Sequence, residues 1–141
     1  MKQVLVLFRG LPGSGKTTAA KLWQDSLEFG DEEVCRCIYA ADDFFEERIG
    51  YDFDARLLSV AHSQCIVRAY ECLKAGHSVG IHNTFTTIKE MQPYLFMAET
   101  LGVPVNVIKC IGTWKSIHNV PEATLNAMRA RWEPFKGEGE V

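Results

Sequence analysis

Short apolar runs alternate along the chain with longer stretches whose apolar positions recur every three or four residues. That alternation predicts an α/β domain built on a mostly parallel sheet. Val4 to Phe8 is apolar throughout, as expected of a strand buried on both faces. A helix is expected from about Lys16 to Leu27 and a second strand over Val34 to Ala40. Asp54 suits the N-cap of a long helix reaching about Ala75, because Leu58, Ala61, Cys65, Ala69 and Cys72 share one helical face and Gly76 follows as a stop. A third strand is expected over His77 to Asn83, then a helix from Thr86 or Thr87 to near Leu101–Gly102. A fourth strand over Val103 to Cys110, a loop from Gly112 to Pro121 and a last helix from near Pro121 to about Trp132 complete the pattern. Residues 1–135 are therefore expected to form one domain, with 136–141 a disordered, frayed tail.

Composition narrows the class. With 141 residues the chain can bury one core and not two. Its 47% hydrophobic and 23% charged residues are those of an ordinary globular domain, which excludes general disorder. No apolar run approaches the roughly 20 residues of a membrane span. Residues 1–8 are too short for a signal peptide, so a cytoplasmic protein without a membrane partner is expected. The net charge of -3 disfavours a broadly basic nucleic-acid binder and leaves a local basic groove open. Five cysteines without a C-x-x-C pair suggest reduced thiols rather than disulfides or a metal site.

The sharpest chemical signal is Gly10-Leu11-Pro12-Gly13-Ser14-Gly15-Lys16-Thr17, which fits G-x-x-x-x-G-K-[ST] between an apolar strand and a helix. Glycines let successive backbone N–H groups point at one anion, and the helix N-terminus adds positive partial charge. Gly13, Ser14, Gly15, Lys16, Thr17 and Thr18 are the expected binding residues for ATP. Lys16 would reach the β- and γ-phosphates, and the Thr17 hydroxyl would take one position on Mg²⁺. The loop alone does not fix the reaction.

Asp42 and Asp43 follow the second strand. Ligands of open α/β sheets bind beyond the carboxyl ends of the strands. A carboxylate there is suited to accept a proton from an acceptor hydroxyl beside the γ-phosphate. A solvated acidic turn fits the same position.

Five further segments follow the loop in order: Ala41-Asp42-Asp43-Phe44-Phe45, Tyr51-Asp52-Phe53-Asp54, Ala61-His62-Ser63-Gln64-Cys65, His82-Asn83-Thr84 and His118-Asn119-Val120-Pro121. Together they resemble the polynucleotide 5′-hydroxyl-kinase-like P-loop family, over about residues 4 to 133. The resemblance implies a P-loop NTPase-type three-layer sandwich with a mostly parallel central sheet and a small lid. It implies ATP-dependent phosphorylation of a hydroxyl, typically the 5′-OH of a nucleic-acid end. Asp42 matches the family's general base, with Asp43 beside it. Lys115 matches a basic lid residue that supports the phosphates, and His118 the histidine of the following stretch.

Three departures accompany the match. His82-Asn83-Thr84 stands where the family's third strand ends in an acidic residue. Lys115 stands where arginine is commoner, and lysine cannot make the planar bidentate phosphate contact. Asn119 replaces a glycine. The phage member of the family also holds the acceptor phosphate with an arginine shortly after its aspartate pair. Phe45 occupies that position here, and Arg48 is the nearest substitute. His82, Asn83, Asp43, Arg48 and His118 are thus the candidate acceptor contacts.

Phe44, Phe45, Tyr51 and Phe53 suit either base stacking or the core. Trp23 and Trp132 read as core or helix–helix packing, His62 as a packed helix residue, and Arg129 and Arg131 as solvated. The expectation is a small kinase with Asp42, Lys16 and Lys115 as catalytic residues and no obligate protein partner. The alternatives are a kinase for a nucleoside or another small hydroxyl compound, and a non-catalytic ATP-binding switch module.

Overall fold

The computed structural model describes residues 3–26, 35–47, 53–114 and 120–141. The elements are β1 (Leu5–Arg9), α1 (Lys16–Asp25), β2 (Arg36–Tyr39), α2 (Asp43–Glu46), α3 (Leu58–Lys74), β3 (Ser78–His82), α4 (Ile88–Leu101), β4 (Val105–Lys109), α5 (Glu122–Arg131) and β5 (Gly139–Glu140). The strands form one sheet in the order β2-β3-β1-β4-β5, and every pairing is parallel. Among the described residues no helix is long and apolar enough to cross a membrane.

β1 lies at the centre because all five of its residues are buried. Its alternating side chains serve two cores. Leu5 and Leu7 pack with Cys65, Ala69 and Leu73 of α3 and Met91 and Tyr94 of α4. Val6 and Phe8 pack with Ala20 of α1, Cys110 and Trp23. The helices therefore cover both faces and the molecule has three layers. Chain order reverses across β1: β2 and β3 lie on one side, β4 and β5 on the other. Such a switch point opens a crevice at the carboxyl ends of the strands, and the glycine-rich loop leaves β1 there.

Local signals explain most boundaries. Asp54 Oδ1 accepts from the Arg56 N–H at 3.0 Å, but it caps a 3₁₀ turn over Ala55–Leu57 that leads into α3. Gly76, at φ 95°, follows α3 in the left-handed conformation. Thr87 and Glu90 form a reciprocal capping box at the start of α4. The one-turn helix α2, absent from the periodicity, is set by a small core of Ala41, Phe45 and Ala61 that seats the acidic segment on α3.

The largest departure from expectation is the C-terminus. Residues 136–141 are not a frayed tail: β5 pairs with β4, the Val141 N–H donates to Lys109 O at 3.0 Å, and Ile111 N–H donates to Val141 O at 2.9 Å. The cause is Arg9, whose side chain is 0% exposed. Its Nε and Nη2 donate to Phe85 O at 3.0 and 2.6 Å, and Nη1 donates to Glu138 Oε1 at 3.1 Å. The guanidinium lies 4.2 Å from the ring centre of Trp132. Trp132 thus covers a buried cation rather than packing between helices. Burial pulls the Arg9 pKa down, and Glu138 opposes that shift.

Breaking a buried ion pair from one side leaves an uncompensated charge. Glu138→Ala is expected to lower stability by about 3 kcal/mol, a drop in Tm of roughly 10 °C for a chain of this size. A urea or thermal melt unchanged by the substitution would show that the C-terminal strand does not depend on Arg9.

Candidate active site at the phosphate loop

The loop from Gly10 to Gly15 folds as its sequence requires. Gly13 and Gly15 have φ of 81° and 94°, values costly for any other residue. Gly10 N–H donates to Thr84 O at 3.2 Å, which ties the loop to the end of β3. A Cβ at Gly10 would fall 2.3 Å from Ser14 Oγ and 2.7 Å from Cys110 O, so only glycine fits. Ser14 Oγ is buried with no hydrogen-bond partner in the protein.

Lys16 Nζ donates to Leu11 O at 3.0 Å, across the loop. Burial pulls its pKa down to about 8, only partly opposed by Cys110 and then by the charge of Asp42. A half-buried cation held by a single carbonyl is poised to gain from an anion. Thr17 Oγ1 lies 3.3 Å from His82 Nδ1. Burial, and then Lys16, pull the His82 pKa down to about 4, so the ring is neutral at pH 7. Among the described residues no group of three or more His, Cys, Asp or Glu is placed to hold a metal. One hydroxyl at the mouth of an anion-binding loop is a donor set that fits Mg²⁺, which keeps waters and phosphate oxygens and needs few protein ligands.

Asp42 and Asp43 stand at the carboxyl end of β2 and serve differently. The Asp42 charge acts on both Lys16 and His82, which brings it into the same crevice. Asp43 turns back: its Oδ2 accepts from the Ala40 N–H at 2.9 Å, and burial raises its pKa. Asn83 lies beneath the crevice, buried. Its Oδ1 accepts from Ala41 N–H at 2.9 Å, and its Nδ2 lies 3.9 Å from Cys65 Sγ. It fixes the turn that carries Asp42.

Lys16, Thr17, Asp42 and His82 are thus brought together, with Gly13, Ser14 and Gly15 forming the loop and Thr18 exposed on α1. Arg48, Lys115 and His118 lie outside the described residues. Of the aromatic candidates, Phe45 is fully buried, whereas Phe53 is half exposed, with its ring 5.1 Å from that of Phe45. Sequence reasoning passed over Trp114. Its backbone N–H donates to Gly13 O at 2.8 Å, and its ring lies against Gly15. The available signal was a tryptophan two residues after a glycine, just beyond the fourth strand.

A parallel sheet in this order, with a glycine-rich phosphate loop after its central strand, defines a P-loop domain with a kinase-like fold. The family model described as an AAA domain matches residues 5–118, and the chain belongs to that family. It is 31% identical over 142 residues to human NEDD4-binding protein 2, covering 94% of this chain and 8% of that protein's length. Its fold is similar to that of Chaetomium thermophilum Kti12 in complex with ADP-AlF3, with a TM-score of 0.74 at 14% identity over 97% of this chain and 88% of that one. It is also similar to a chain of the Pnkp1/Rnl/Hen1 RNA repair complex, with a TM-score of 0.62 at 16% identity over 90% of this chain and 36% of that one. Kinases recur among the similar folds, an APS kinase and a sugar kinase included.

The neutral burial of His82 predicts a pH effect on stability. Its native pKa of about 4 lies below the ordinary 6.5, so between those values the unfolded chain binds the proton more tightly. This contribution is present above pH 6.5 and lost as pH falls toward 4, at most about 3 kcal/mol. Urea midpoints from pH 7 to 4.5 should fall less steeply for His82→Asn than for the native chain. Equal slopes would assign the effect to other groups.

Proposed function

We propose that the protein is a phosphotransferase that moves the γ-phosphoryl group of ATP, bound with Mg²⁺ on Gly13 to Thr18, to a hydroxyl. The 5′-OH of a DNA or RNA end is the acceptor of this reading. The observation that carries it is the phosphate loop at the switch point, with Lys16 Nζ folded across it to Leu11 O, Thr17 Oγ1 3.3 Å from His82 Nδ1, and Asp42 following β2. The similarity to a chain of an RNA repair complex supports the nucleic-acid acceptor.

In this reading Asp42 accepts the proton of the acceptor hydroxyl as its oxygen bonds to the γ-phosphorus. The bond from that phosphorus to the β–γ bridging oxygen breaks, and ADP leaves. Lys16 offsets charge on the transferring group, joined by Lys115. The bound ion would neutralise phosphate charge. The same reading assigns Asp43, Arg48, His82, Asn83 and His118 to the acceptor. Catalysis is mostly positioning and electrostatics. One observation favours a smaller acceptor, a nucleoside or another hydroxyl compound: Phe45, at the position of the family's acceptor arginine, is fully buried in an aromatic core.

Incubation with Mg²⁺, γ-labelled ATP and 5′-OH oligonucleotides should label the 5′ end. Asp42→Asn should lower kcat by about 10²- to 10⁴-fold with ATP affinity nearly unchanged, and Lys16→Ala should abolish transfer. ATP binding without transfer would redirect the search to small hydroxyl acceptors, and transfer unaffected by Asp42→Asn would remove Asp42 as the base.

Lys16 also sets a pH dependence. Its ammonium form binds phosphate, and its pKa in the free protein is about 8. ATP affinity should therefore be level below about pH 7 and weaken as pH rises through 8. Titration calorimetry should show that decline in the native chain and not in Lys16→Arg, if the arginine variant binds.

A further inference from the structure

Trp114 is the largest type of side chain and is 70% exposed, yet it is not a loose end. Gly112 N–H donates to Ser14 O at 3.1 Å and Trp114 N–H donates to Gly13 O at 2.8 Å, so residues 112–114 run as a strap along the flank of the phosphate loop. The benzo edge of the indole lies against the backbone of Gly15: a Cβ there would sit 2.9 Å from Cζ3. It also folds over Gly112, where a Cβ would sit 1.8 Å from the same atom. Gly15 needs to be glycine for its positive φ in any case. Gly112 has no such backbone demand, and what it leaves room for is the ring. The fold thus keeps an exposed indole at one place beside the loop.

We propose that Trp114 is the platform on which the base of the donor nucleotide stacks. The inference rests on the reading that the loop holds a nucleoside triphosphate. With the phosphates in the loop, the base lies one ribose beyond the α-phosphate, beside the loop rather than within it. An aromatic surface pinned to the loop's flank is positioned to meet it. Stacking on an indole uses the π-face common to all bases, so it supplies affinity without reading base edges. The site should therefore take ATP and GTP with similar affinity and hold CTP less tightly, because a pyrimidine offers a smaller face.

The alternative role for the ring is mechanical, as a prop for the loop. The two are separated by titrating the full chain, in Mg²⁺, with ATP, GTP, CTP and inorganic tripolyphosphate, which has no base. Trp114→Ala should weaken ATP and GTP by roughly 5- to 100-fold, the range that base–aromatic stacking supplies. It should leave tripolyphosphate within about twofold by the same reasoning. Trp114→Phe should retain most of the affinity for ATP. Gly112→Val, which would displace the ring, should behave as Trp114→Ala. In the native chain ATP should change tryptophan fluorescence and tripolyphosphate should not. Equal losses for ATP and tripolyphosphate in Trp114→Ala would make the ring a prop and overturn the proposal, as would ATP affinity unchanged in that variant. Tripolyphosphate bound as tightly as ATP by the native chain would overturn the platform while leaving the loop intact. A native chain that binds neither ligand would end both the platform and the nucleotide reading. All of these readouts are binding, so a failure to find the acceptor hydroxyl leaves them unaffected.

Discussion

A full positive charge is sealed inside this protein at the end of its central strand, and the neighbouring segments are arranged around it. Arg9 satisfies three donor positions with Phe85 O and Glu138 and is closed over by Trp132. Each contact recruits a different piece of chain. The bond to Phe85 holds the loop after β3, where that residue stands at φ 47°, an uncommon conformation outside glycine. Packing of the buried Phe85 ring edge-on to Tyr94, 5.5 Å between centres, helps offset the strain. Glu138 brings the C-terminal strand, and Trp132 brings the end of α5. Gly10, the first residue of the phosphate loop, follows Arg9 directly and is bonded to Thr84. The loop is therefore launched from a junction fixed on several sides, which suits a site that works by positioning.

Arg9 and Lys16 lie seven residues apart and have opposite electrostatic circumstances. The buried guanidinium has a carboxylate, two carbonyl bonds and an aromatic face. The lysine has one carbonyl and a lowered pKa. The first arrangement is complete within the protein. The second improves when an anion enters the loop, since negative charge would favour the ammonium form that burial now penalises. The depressed pKa of His82 has the same origin, with Lys16 adding to it. Burial is the main cause at both residues, and an anion in the loop would offset it at Lys16.

Periodicity and one motif carried much of the architecture. The apolar run at Val4 to Phe8, a helix start at Thr86 or Thr87 and the stop at Gly76 are local signals, and local signals are legible. What the sequence hid depends on distant pairs. Residues 136–141 look frayed because two glycines and two glutamates carry no strand pattern. Their order comes from a partner 129 residues away. Trp132 read as packing because nothing local says that it covers a cation. Asn83 was legible as a residue near the site, but its buried bond to Ala41 gives it the turn to hold. Trp114 went unnoticed because its contacts, to Gly13 and Gly15, lie on another strand's loop.

The histidine at the end of β3 bears most directly on the chemistry. An acidic residue there would add negative charge beside Thr17, where the ion is expected. His82 is neutral at pH 7 and adds none. In the tautomer with its proton on Nε2, Nδ1 accepts from the Thr17 hydroxyl, leaving the hydroxyl's lone pairs to face an incoming ion. The ring can then orient the one protein ligand as a carboxylate would. The charge balance is different, however: more of the countercharge for Lys16 and the ion must come from the phosphates and Asp42. In the proposed reaction such a site would hold the ion weakly until a nucleotide supplied further oxygens. Asp42 then has a double part in the proposed reaction, as proton acceptor for the hydroxyl and as the nearby carboxylate acting on both Lys16 and His82.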